Sequence, residues 1–130
     1  MKKKIGNRPL ILGVSILTSI DEDDFASLGL LGALEDQVKR LADLAVDAGL
    51  DGIVCSAKEL KVIRDHVGKD FIIVTPGIRP KWAEKQDQKR IMSPAEAIKL
   101  GANFLVIGRP ITEAANPSDA FKKLCQEISE

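Results

Sequence analysis

Apolar residues follow one another along this chain in two alternating rhythms. Leu10 to Leu17 is a continuous run rich in branched side chains and preceded by Pro9, the pattern of a strand covered on both faces. Thr18 and Ser19 end it. The polar Asp21–Asp24 and the glycine-bearing Leu28–Gly32 predict a loop with room for a short helical turn. From Leu34 the period changes: Leu34, Val38, Leu41, Ala45 and Ala48 recur at helical spacing, and Gly49 supplies the stop.

The plan then repeats. Gly52–Ser56 predicts a short strand, and Ser56-Ala-Lys-Glu59 has the form of a capping box opening a helix that runs to about Val67 and stops at Gly68. Phe71–Thr75 predicts a third strand, broken by Pro76 and Gly77. Residues 76–92 follow as a long polar connection without clear period, and long loops inside compact domains are usually functional or disordered. Ser93-Pro94-Ala-Glu96 predicts a helix start with serine as cap and proline in the first turn, and Gly101 ends that short helix. Asn103–Ile107 reads as a fourth strand. Asn116-Pro117-Ser-Asp119 caps a last helix reaching about Ile128. Four strand–helix units thus fill residues 1–130 as one domain, with no linker and no low-complexity segment.

Composition narrows the class. With 45% hydrophobic and 29% charged residues the chain reads as soluble and globular, able to bury a core. Nineteen basic residues balance nineteen acidic ones, which removes the long-range field expected of a nucleic-acid or membrane-surface binder, so any anion site must be local. Cys55 and Cys125 are far apart without metal-ligand spacing and read as reduced thiols of a cytoplasmic protein. Met1–Lys4 followed by Leu10–Leu17 has the outline of a signal peptide, but Asn7, Arg8 and Pro9 interrupt it and no small-residue cleavage site follows. No apolar run approaches membrane-spanning length.

Strands alternating with helices imply a parallel sheet with right-handed crossovers. A doubly wound sheet and half of an eight-unit barrel both fit, since a full barrel needs about 250 residues. Either fold binds ligands at the C-terminal edge of its strands, where the candidate chemistry lies. Leu105–Thr112 is an apolar run turning abruptly into Gly108, Arg109 and Pro110; arginine offers phosphate a planar fork of donors, and glycine lets main-chain N–H groups approach closely. Other features carry blander readings. His66, the one histidine, sits on a helix away from that edge; Cys55 has no activating partner; Asp21–Asp24 lacks the alternation and the glycine of a calcium loop. Asp51 reads as a turn residue, Trp82 as a loop anchor and Arg90 as structural.

Five ordered segments resemble the C-terminal half of orotidine 5′-phosphate decarboxylase: Val14–Ser19, Gly49–Ala57, Val74–Pro80, Asp87–Arg90 and Val106–Thr112. The resemblance runs from Leu10 onward. It implies an α/β fold of four βα units, half of a (β/α)8 barrel of TIM type and matching its fifth to eighth strands, completed by a partner chain. The family is dimeric and converts orotidine 5′-phosphate to uridine 5′-phosphate and carbon dioxide, in pyrimidine biosynthesis, without metal or organic cofactor. By the same resemblance Thr18 matches a ligand-contacting position after the first of these strands, Arg79 and Gln88 match a loop closing over the phosphate, and Gly108 and Arg109 match the phosphate site itself.

One departure is large. The family's catalytic Asp-x-Lys-x-x-Asp segment belongs to the other half of the barrel and does not occur in these 130 residues. Asp87-Gln-Lys89 imitates it, but Met92 stands at the last acidic position. The sequence therefore implies no catalytic residue here, and a chain that cannot perform the family reaction alone. The resemblance implies a nucleotide monophosphate (orotidine or uridine 5′-phosphate) as ligand, and either an N-terminal half-barrel or further copies of this chain as partner. The other readings are a noncatalytic phosphate-binding or self-assembling half-barrel, and another phosphate-sugar decarboxylase of the same superfamily.

Overall fold

The computed structural model describes residues 8–17, 19–83 and 92–129. Four strands, β1 (Leu12–Val14), β2 (Gly52–Val54), β3 (Ile72–Pro76) and β4 (Phe104–Val106), form one sheet in chain order, every neighbouring pair parallel. Between them run α1 (Glu22–Ser27), α2 (Leu34–Asp47), α3 (Leu60–Val67) and α4 (Pro94–Lys99); α5 (Arg109–Thr112) and α6 (Pro117–Ser129) follow β4.

The core lies between the sheet and its helices. Ile53 and Ile73 point from adjacent strands into a cluster with Val38 and Ala42 of α2, Leu60 and Ile63 of α3, and Ala97 of α4. Each of these isoleucines, fully buried, contributes roughly 1.5–3 kcal/mol. Gly52 is required for the strands to approach: a Cβ there would sit 2.3 Å from the Ile72 carbonyl oxygen.

Alternate residues point to the other face, which no helix covers among the described residues. Val14, Val54, Val74 and Phe104 lie in one row across the sheet, and Val106 continues it. Val14 is 61% exposed, Phe104 57% and Val106 52%. The expectation that the strands are covered on both faces therefore fails within this chain, because the apolar inner face has no partner layer among the described residues.

The short helical turn allowed for between β1 and α2 forms: Asp21 caps α1, accepting from Asp24 N–H at 2.9 Å while Asp24 accepts from Asp21 N–H, and Phe25 anchors the turn in the core. Two other local expectations change. The predicted capping box at Ser56 does not form. Glu59 occupies the N-cap position of α3 in helical geometry without a side-chain cap, and the buried Ser56 hydroxyl has no hydrogen-bond partner among the described residues. The box at Ser93 forms in full, with Ser93 N–H and Oγ–H donating to Glu96 at 2.9 and 2.7 Å and Ser93 Oγ accepting from Glu96 N–H at 3.3 Å. Asp51 does more than turn the chain: it accepts two hydrogen bonds from Arg8, at 2.8 and 2.7 Å, and one from Ile11 N–H, tying the approach to β1 against the turn before β2. The arginine, then the Ile11 amide, hold its carboxyl below the usual carboxylate range.

Candidate functional site

Parallel pairing sends all four strand C-termini to one edge. At the end of β1, Ser15 donates both N–H and Oγ–H to the Val54 carbonyl, at 3.0 and 2.9 Å, which locks the exits of β1 and β2 together. The β3 exit turns at Gly77, whose φ of 73° favours glycine. Ile78 then bridges to Met92 in parallel, and Arg79 N–H donates to the Met92 carbonyl at 3.1 Å. This closes the base of the long connection and fixes the Arg79 backbone beside the start of α4.

Arg79 is 5% exposed and engaged with a partner, as a buried guanidinium must be. The turn after it is braced by α6. Lys81 N–H donates to both Glu127 carboxylate oxygens at 3.3 Å, and Lys123 Nζ stands 5.1 Å from the centroid of the half-buried Trp82 ring. Trp82 is thus seated against a helix, the anchoring role expected of it.

The β4 exit departs from a plain strand end. Gly108 is the N-cap of α5, a single turn that the sequence pattern did not predict, with the Ile111 and Thr112 N–H groups donating to the Gly108 carbonyl at 2.9 and 3.1 Å. Among the described residues no backbone carbonyl takes the Gly108 or Arg109 N–H. A Cβ on Gly108 would meet nothing of the chain within 4 Å, and its φ is −105°, so neither packing nor torsion demands glycine there. Arg109 is exposed. Two main-chain donors, an exposed arginine and unobstructed approach suit an anion with several oxygens. A short extra helix after the last strands is also where barrel enzymes commonly bind phosphate.

The structure therefore brings Arg79, Gly108 and Arg109 to the exits of two paired strands, one arginine buried and the other exposed. Thr18 and Gln88 lie outside the described residues. Sequence reasoning missed α5 and the Met92 carbonyl; Pro110 after Gly-Arg was the available signal for the first, as proline favours a helix's first turn.

The other readings resolve simply. Cys55 is buried and its thiol is pushed up to about 12, chiefly by burial and then by the neighbouring Glu59, so it is no nucleophile at neutral pH. Cys125 is exposed and free. His66 Nε2 lies 2.7 Å from Asp43 Oδ1, joining α3 to α2 far from the strand exits. Among the described residues no group of His, Cys, Asp and Glu could hold a metal ion, and no helix is long and apolar enough to cross a membrane.

A groove of about 520 Å³ lies at the opposite edge, lined by Lys61, Arg64, Lys69, Lys99 and neighbours. Arg64 is committed there to structure. Nε and Nη2 donate to the Gly101 carbonyl at 3.0 and 2.6 Å, Nη2 also to Asn103 Oδ1 at 2.7 Å, and Nη1 to the Phe71 carbonyl at 2.8 Å and to the Gly68 carbonyl.

Comparison with known proteins follows the same lines. Residues 1–124 match the sequence model of the Orotidine 5'-phosphate decarboxylase / HUMPS family. The orotidine 5'-phosphate decarboxylase of Rhodospirillum rubrum is 52% identical over 120 residues, covering 92% of this chain and 49% of the relative. That of Vibrio cholerae is 52% identical over 117 residues, covering 90% and 51%. The crystal structure of orotidine 5'-phosphate decarboxylase from Lactobacillus acidophilus superimposes with a TM-score of 0.78 at 35% identity, covering 94% of this chain and 50% of that one. The chain spans about half the length of the curated relatives it matches, and its four βα units correspond to half of a (β/α)8 barrel. From its sequence and its fold alike, the chain belongs to the Orotidine 5'-phosphate decarboxylase / HUMPS family.

Proposed function

We propose that this chain is the phosphate-gripping half of an orotidine 5′-phosphate decarboxylase site, a single half-barrel domain that binds the 5′-phosphate of orotidine or uridine monophosphate and does not decarboxylate alone. The observation that carries the reading is the arrival of Arg79 and of Gly108–Arg109 at the exits of the paired strands β3 and β4. In this reading the Gly108 and Arg109 amides and the Arg109 guanidinium take the phosphate oxygens, Arg79 lends its charge from below, and Thr18 and Gln88 join them. The Asp-x-Lys-x-x-Asp segment would come from a first half-barrel, with the assembled enzyme acting in pyrimidine biosynthesis in the cytoplasm, where two free thiols are at home.

Titration calorimetry tests it. Uridine 5′-phosphate should bind and uridine should not, because the surviving contacts are to the phosphate. Arg109→Ala should weaken binding by about tenfold to a hundredfold, the worth of charge-assisted hydrogen bonds of roughly 1.5–3 kcal/mol. Equal binding by the variant would remove Arg109 from the site.

A further inference from the structure

We propose that Glu127 and Lys123 of α6 are positioning residues of the phosphate site, holding the turn after Arg79 on the helix that also backs the α5 turn of Arg109. This inference rests on the nucleotide reading above and deepens it, because it names what fixes the two arginines relative to one another.

The helix is built to serve as that reference. Asn116 Oδ1 accepts from the Ser118 and Asp119 N–H groups at 3.1 and 3.3 Å and so starts α6. Ala120 and Leu124 are buried, and the helix packs against both α4 and α5. Lys123 and Glu127 stand one turn apart on it and reach neighbouring residues of one target, Lys81 and Trp82.

The main chain around Arg79 is held from two sides. On one side its own N–H donates to the Met92 carbonyl at 3.1 Å. On the other, Pro80 is fully buried, with its φ fixed by the ring, and Ala83 N–H closes a turn onto the Pro80 carbonyl at 3.0 Å. Inside that turn Lys81 N–H donates to both Glu127 oxygens at 3.3 Å, and Lys123 Nζ lies 5.1 Å from the centroid of the Trp82 ring. The buried Trp82 Nε1 has no hydrogen-bond partner among the described residues, so the ring is seated through its face. Any shift of Lys81 passes through one rigid proline to Arg79. Binding groups must be held to within about 0.5 Å of their working geometry, and α6 supplies the second hold that this requires.

Charge gives the test its sign. Glu127 is an anion near an anion site, so by electrostatics alone its removal should tighten binding; as a positioning residue its removal should weaken it. In titration calorimetry of the full chain with uridine 5′-phosphate, Glu127→Ala should bind about threefold to tenfold more weakly than wild type. Glu127→Gln loses the same charge but keeps an accepting oxygen, and should bind to within about twofold of wild type. Trp82, the one tryptophan of the sequence, reports the seat directly. Its emission should move to longer wavelength in Glu127→Ala and in Lys123→Ala and return in Glu127→Gln and Lys123→Arg, with helical circular dichroism unchanged throughout because alanine keeps the helix. Glu127→Ala binding as tightly as wild type or tighter, Glu127→Gln binding as weakly as Glu127→Ala, or an unmoved Trp82 emission would each overturn the proposal and leave the nucleotide reading standing. A wild-type chain that binds no uridine 5′-phosphate would remove that reading and this inference with it.

Discussion

At the scale of single residues, the strand N-terminal edge depends on Arg64. One guanidinium fork joins the end of α3, the start of β3 and the turn before β4, and Asn103 Oδ1, which it holds, also accepts Ile73 N–H at 2.8 Å. Lysine keeps the charge but not the fork, so Arg64→Lys should lose about 1–3 kcal/mol in urea unfolding as carbonyls go unpaired; an unchanged midpoint would refute the knot. Gly101 belongs to the same device, with φ of 105° and a Cβ position 2.8 Å from the Arg64 side chain. Cys55 gives a second test. Its folded thiol is pushed up to about 12 from an ordinary 9.0, mainly by burial. Below pH 9 both states keep the proton and nothing is gained or lost. Between about 9 and 12 the unfolded chain releases it and the folded chain does not, so stability should fall as pH rises, by up to about 1.4 kcal/mol per pH unit. Cys55→Ala should abolish that part of the slope. In a thiol titration of the native protein at pH 8 only Cys125 should react.

At the scale of elements, two similar capping signals had different fates. Ser93→Ala should cost about 1 kcal/mol, because a complete box is lost at the helix that follows the Ile78–Met92 bridge. Ser56→Ala should cost nothing or stabilise, because its buried hydroxyl bonds nothing among the described residues. Thermal unfolding of the two variants separates these signs. Ser93 also holds the Glu96 carboxyl below its ordinary value, so the stability from this cap is present above about pH 4.5 and is lost as pH falls through the folded value. The alternation of strands and helices was legible because each element long enough to show a period did so, and glycines such as Gly49, Gly68 and Gly101 stop helices where expected. The false box was not distinguishable by spacing: Pro94 presets the first turn after Ser93, whereas Ser56 stands just past the exit of β2 with no proline to start the helix. The α5 turn is too short to have a period. Apolar residues on both faces of a strand report that both faces avoid water, not that one chain supplies both covers. Of the candidate site, Gly108 and Arg109 were legible from chemistry, and Arg79 only through resemblance, because its burial depends on a bridge to Met92 across the long connection.

At the scale of the whole molecule, the proposed function assigns substrate holding to this half and bond breaking to the other. The lone chain should release no carbon dioxide from orotidine 5′-phosphate in a radiolabelled assay, since the Asp-x-Lys-x-x-Asp segment is not in its sequence. Adding a first half-barrel that carries that segment should restore release, and activity of the lone chain would contradict the proposed division. The uncovered row on the sheet has one more consequence, written in inheritance. A valine or phenylalanine that spends its life in water is under no pressure to remain so, and mutation exchanges it for polar residues over generations. Among natural relatives that carry this sheet, the positions of Val14, Phe104 and Val106 should stay apolar while those of Leu44 and Val46, which are also exposed but lie on the outer helix α2, drift freely. The record of such drift would show that something rests against the bare face.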